Sequence, residues 1–157
     1  MVIRSGSEET TLQIGRCVGA HLREGDVVLL RGEMGAGKSV FCRGVARGVG
    51  VEGPVPSPTF TLLNIHEGMQ KKLYHFDLYR LDDADALYEM GLNEYIGADG
   101  VTLIEWPEQA EEAMPACHLE AALRYAGEDG LYRDITLMPR GGFDFAPVEQ
   151  ALKEEGF

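Results

Sequence analysis

The run Gly32-Glu33-Met34-Gly35-Ala36-Gly37-Lys38-Ser39 has the form G-x-x-x-x-G-K-[ST], and that spacing suits one piece of chemistry. Glycines let successive backbone N–H groups face one anion without interference from Cβ, and a helix opening behind them adds its own free N–H groups. Polyphosphate oxygens nest in such donors. Lys38 is placed to neutralise the β and γ phosphates, and the Ser39 hydroxyl to complete a magnesium shell. The predicted nucleotide contacts run through Glu33, Met34, Gly35, Ala36, Gly37, Lys38, Ser39 and Val40. The competing interpretation is a glycine-rich turn with a solvated lysine. The apolar strand before the motif and the periodic helix after it favour phosphate binding. A phosphate loop does not contact the base, so base identity stays open.

Phosphoryl transfer also needs acidic groups near the phosphates. Glu105 closes VTLIE, a strand whose body can be buried while its last side chain reaches a ligand edge; it is the candidate magnesium residue beside Ser39, against the alternative of a surface acid. Asp77 closes LYHFD in the same way and can orient the attacking water or support Mg²⁺. A cap for the following LYR is its bland alternative. The candidate catalytic set is Lys38, Asp77 and Glu105. Ser57 and Thr59 lie in a proline-rich loop where hydroxyls can sense a γ phosphate or simply form a local turn. Trp106 either packs over the nucleotide or covers the core, with Pro107 stiffening its placement. Arg80 balances Asp77 or phosphate, or is a surface arginine. His75 reads as a strand residue packed near the core rather than a base, and His66 is a weaker candidate still.

These residues must be carried by elements, and the patterning predicts them. Ile14, Val18 and Leu22 at fourfold spacing behind a serine cap predict a helix over 7–22. A strand VVLLR, the glycine loop and a helix from Lys38 to about Gly50 follow. Prolines in GPVPSPTF exclude helix there and favour an ordered loop. Two strands, about 60–66 and 72–77, form a hairpin. Asp82 and Asp83 cap a short helix that ends at Gly91, with one packed turn after it. A strand spans 101–105. An acidic segment at 108–112 precedes two further strands, near 117–125 and 131–138. The fold class expected is α/β, a P-loop NTPase fold with a mixed central sheet flanked by helices. Residues 1–139 form its single domain, and 140–157 are expected to be a weakly packed tail.

At 157 residues the chain has the length of one domain, a size at which one core buries roughly 70% of the extended surface. Fourteen Lys and Arg stand against 26 Asp and Glu, a net charge of −12. Such a field repels phosphate backbones, and with no basic stripe to reverse it, direct RNA capture is disfavoured. Any RNA is expected to be held by a partner. Cys17, Cys42 and Cys117 match no disulfide framework or CxxC motif and read as buried small hydrophobes. No apolar run approaches the ~18 residues of a membrane span, and no secretory signal is recognisable, so a cytoplasmic protein without membrane association is expected.

GEMGAGKS at 32–39, SPTFTL at 57–62, YHFDLYRL at 74–81, MGLNEY at 90–95 and LIEWP at 103–107 together resemble the bacterial TsaE family, formerly YjeE, over roughly residues 7–139. The resemblance implies an ATPase required to form threonylcarbamoyladenosine at position 37 of tRNAs reading codons that start with A. It implies work with TsaD and TsaB, where ATP hydrolysis resets the complex while other proteins make and transfer the threonylcarbamoyl group. ATP and Mg²⁺ are the implied cofactors, with adenine favoured by the resemblance. By motif, Lys38 and Ser39 take the phosphate and magnesium roles, Glu105 joins the magnesium site, and Asp77 is the required acid of the HFDLYR segment. Thr59 matches the threonine of the SPT element and Trp106 the tryptophan of the EW pair. Ser39 departs mildly from the family in standing where many relatives carry threonine; its oxygen preserves metal ligation.

Two other functions compete with ATP hydrolysis. A small-molecule kinase needs a second substrate pocket and a lid, for which the chain leaves little room. A binding module that assembles on nucleotide without turnover needs neither.

Overall fold

A computed structural model describes residues 1–157. The elements run β1 (Val2–Ser5), α1 (Glu8–Ala20), β2 (Val27–Arg31), α2 (Lys38–Val49), β3 (Leu63–Glu67), β4 (Lys72–Asp77), α3 (Ala84–Glu89), β5 (Gly100–Glu105), β6 (His118–Ala126), β7 (Tyr132–Arg140) and α4 (Ala146–Glu154), with 3₁₀ turns at Leu92–Tyr95 and Pro107–Ala113. All seven strands join one sheet in the order β1-β7-β6-β2-β5-β4-β3. The inner pairs β6–β2, β2–β5 and β5–β4 are parallel. Both margins are antiparallel, through β4–β3 on one side and β6–β7–β1 on the other. The fold is thus α/β with a mixed central sheet flanked by helices. The unbroken burial along β5 and along Val27–Leu30 of β2 suits strands covered on both faces, while β6 alternates as a half-covered strand does.

The period of two along each strand divides the core. Val28, Leu30, Leu73, Val101 and Leu103 pack toward α1, α2 and α4. Val27, Leu29, Tyr74, Phe76 and Ile104 pack on the opposite face, under α3 and the 107–113 turns. The same parity sends His75 and Asp77 of β4, and Glu105 of β5, to the α2 face. Two parallel strands that end side by side there, with Asp77 and Glu105 in register, deliver the acids to the start of α2.

Ser7 caps α1, its hydroxyl accepting from the Thr10 N–H at 3.1 Å. Helices α1 and α2 meet backbone to backbone: a Cβ on Gly44 would lie 2.3 Å from the Leu12 carbonyl oxygen, and one on Gly19 would lie 2.2 Å from that of Val45. Gly15 faces Phe41 and Gly44, and Gly48 faces Arg16 and Ala20. Positions therefore rise together in the two helices, which run parallel.

Three expectations change. Residues 2–5, assigned no element from sequence, form an edge strand on β7. Residues 146–154 are a helix rather than loose tail, with Val148, Ala151 and Leu152 buried in the larger core beside Phe143 and Phe145. Cys117 is exposed, unlike Cys17 and Cys42. No helix is long and apolar enough to cross a membrane.

Candidate active site

The loop between β2 and α2 turns through Gly35 (φ 78°) and Gly37 (φ 99°), both left-handed positions that favour glycine. Of the N–H groups of residues 33–40, Ala36 alone donates within the protein, to the Glu33 carbonyl at 3.1 Å. The others, including those opening α2, are free to meet an anion. Tyr125 of β6 braces this loop from outside, its hydroxyl donating to the Gly35 carbonyl at 2.7 Å. Lys38 is only 6% exposed, and its Nζ has no hydrogen-bond partner. The ammonium lies 3.5 Å from the centroid of the Trp106 ring, in cation–π contact. Burial lowers the Lys38 pKa, while Glu105, Glu108 and Asp77 act against that shift. A buried cation without an anionic hydrogen-bond partner, beside free N–H groups, fits a phosphate.

The acids reach this loop from below. Asp77 Oδ2 accepts from Thr59 Oγ1 at 2.9 Å and Oδ1 from the Tyr79 N–H at 3.0 Å. Thr59 is in turn 2.8 Å from the Ser57 hydroxyl. The proline-rich loop is therefore tied to the end of β4 through one carboxylate. Glu105 Oε2 accepts from His75 Nε2 at 2.8 Å, with both side chains buried. Trp106 follows in the left-handed region (φ 56°, ψ 48°), which swings its indole over Lys38 and against the Tyr79 ring, 4.9 Å away between centroids.

A cavity of about 310 Å³ gathers Met34, Gly35, Gly37, Lys38, Ser39, Val40, Thr59, Asp77, Glu105 and Trp106. Glu33 and Ala36 lie instead on a larger cavity of about 880 Å³ across the loop, which shares Met34 and Trp106 with the first. Arg80 does not balance Asp77: its guanidinium stacks over the exposed Phe60 ring, 4.7 Å from the centroid. Glu8, Tyr79 and Ser57 also line the smaller cavity. Glu8 and Tyr79 were not evident as site residues from sequence; Tyr79 belongs to the HFDLYR run, whereas nothing in the α1 segment marks Glu8.

Two donor sets lie within reach of a cation. Ser39, Asp77 and Glu105 offer oxygens to the cavity, the hard donors that suit Mg²⁺. Beneath them, ligand-type atoms of Cys42, His75 and Glu105 fall within 4.8 Å of one another. Burial pushes the Cys42 thiol well above its ordinary pKa, and its soft sulfur, with the His75 imidazole, suits a softer metal than Mg²⁺. The oxygen set is the one that fits a phosphate-bound cation.

A family model for threonylcarbamoyl adenosine biosynthesis protein TsaE matches residues 5–135. The tRNA threonylcarbamoyladenosine biosynthesis protein TsaE of Bacillus subtilis is 38% identical over 138 residues, covering 88% of this chain and 85% of that protein. Its Treponema pallidum namesake is 38% identical over 133 residues, covering 85% and 96%. Among solved structures, the crystal structure of Bacillus subtilis YdiB matches with a TM-score of 0.83 at 32% identity, over 99% of this chain and 96% of that one.

Proposed function

The chain belongs to the TsaE family, and from that premise we propose that it is a Mg²⁺-dependent ATPase of the machinery that makes N6-threonylcarbamoyladenosine at tRNA position 37. It hydrolyses ATP to ADP and phosphate and so supports turnover of a TsaD–TsaB complex in the cytoplasm. The observation that carries this reading is the buried Lys38 ammonium, unpaired by any hydrogen-bond acceptor, in a cavity that also receives Ser39, Thr59, Asp77 and Glu105.

The free N–H groups of the loop and the Lys38 ammonium hold the polyphosphate, and the indole of Trp106 yields the ammonium to it. Ser39 and Glu105 would hold Mg²⁺, which would spread the charge that builds on the phosphate oxygens. Asp77 orients the attacking water; its bonds to Thr59 and the Tyr79 amide keep the carboxylate fixed while it does so. The larger cavity across the loop gives the nucleoside half its room. With a net charge of −12 the protein leaves the tRNA to its partners.

The reading is tested by following phosphate release with TsaD and TsaB present, with and without Mg²⁺, for the native chain and for Lys38→Ala. Mg²⁺-dependent release that vanishes in folded Lys38→Ala protein is expected. Nucleotide-dependent assembly without phosphate release would instead favour the binding module.

A further inference from the structure

We infer that His75 is the positioning residue for Glu105, holding one carboxylate oxygen from behind so that the other faces the phosphate cavity. The inference rests on the magnesium role proposed above for Glu105. A glutamate at the end of a strand has three side-chain torsions to fix, and a ligand that must be ordered as the cation binds loses affinity to that ordering. Here the ordering is already done: Nε2 of His75 donates to Oε2 at 2.8 Å, with side-chain exposures of 2% and 7%. His75 lies two residues before Asp77 on the same face of β4, so its imidazole approaches Glu105 from the interior.

His75 Nδ1 has no hydrogen-bond partner, so the bond to Glu105 is the one hydrogen bond that holds the imidazole.

Partners of this kind typically change metal affinity about 10–100-fold when removed. The test measures ADP affinity by calorimetry across a Mg²⁺ series, beside thermal melts, for the native chain, His75→Leu, His75→Gln and His75→Asn. Gln places an amide donor near the Nε2 position, whereas Asn reaches only as far as Nδ1. His75→Leu and His75→Asn are expected to raise the Mg²⁺ concentration for half-maximal tightening by about tenfold. Their ADP affinity in chelator should stay native, and His75→Gln should restore most of the Mg²⁺ response. Added to Glu105→Gln, His75→Leu should shift nothing further. A folded His75→Leu or His75→Asn protein with the native Mg²⁺ midpoint would overturn the inference, as would a shift that persists in full on the Glu105→Gln background. Should His75→Leu not fold, the Gln and Asn pair decides between the same outcomes. A Glu105→Gln protein whose own Mg²⁺ midpoint is native would instead sink the magnesium role, and this inference with it.

Discussion

Lys38 is a charge held out of water against an aromatic face, with carboxylates nearby but no hydrogen-bond acceptor, which sets function against stability at one residue. Burying a cation without a hydrogen-bonding partner is unfavourable, so Lys38→Met, which keeps the aliphatic volume and drops the charge, should melt no lower than the native chain. The same change should weaken ATP affinity at least tenfold, about 1.4 kcal/mol; calorimetry beside a thermal melt checks both. Asp77 divides the other way. In Asp77→Asn one oxygen remains to accept from Tyr79 and the amide can donate to Thr59, so fold and ground-state affinity are expected to survive. Single-turnover phosphate release with TsaD and TsaB should fall at least tenfold, again about 1.4 kcal/mol, now confined to the transition state. Equal rates for Asp and Asn would leave this carboxylate a tie for the Ser57–Thr59 loop only. At this scale the loop motif and the strand-end acids were legible because each is a local pattern. The His75–Glu105 bond was not: the two residues lie 30 positions apart and meet only through the register of β4 on β5.

At the scale of elements, α2 carries Lys38 and Ser39 at one end and lies against α1 along glycines, so the loop's position depends on how closely two helices approach. A methyl on Gly44 would meet backbone rather than a side chain that can rotate away. Gly44→Ala is therefore expected to destabilise by about 1–3 kcal/mol in spite of alanine's better helix propensity. Urea unfolding measures the loss, and an unchanged midpoint would show that the helices can part freely. Most elements could be read from the chain because strand, loop and helix each changed the hydrophobic period at a glycine or proline. Two could not. β1 has four residues, too few for alternation to stand out, and it sits on a margin where half of it faces water. α4 did carry signals, with Pro147 in its first turn and Val148, Ala151 and Leu152 at helical spacing. They were masked by the preceding glycine pair and by the surrounding acids.

At the scale of the whole molecule, the C-terminal helix closes the larger core rather than trailing from it. Ending the chain after Arg140 would strip away Phe143, Phe145, Val148 and Leu152, all buried. At about 1.5–3 kcal/mol for each large apolar side chain, the loss is comparable to the whole stability of a typical domain. The shortened chain should therefore melt far below the native one or fail to fold; a retained melting temperature would make α4 dispensable. The opposite end has a different bearing. β1 pairs with β7 and with no other strand, and the Met1 amino group donates to the Leu137 carbonyl, 136 positions away. A ribosome adding about 5–20 residues per second needs about 7–27 s to cover that distance. β1 is translated before every other strand of the sheet, yet it must wait for the newest one before its register exists.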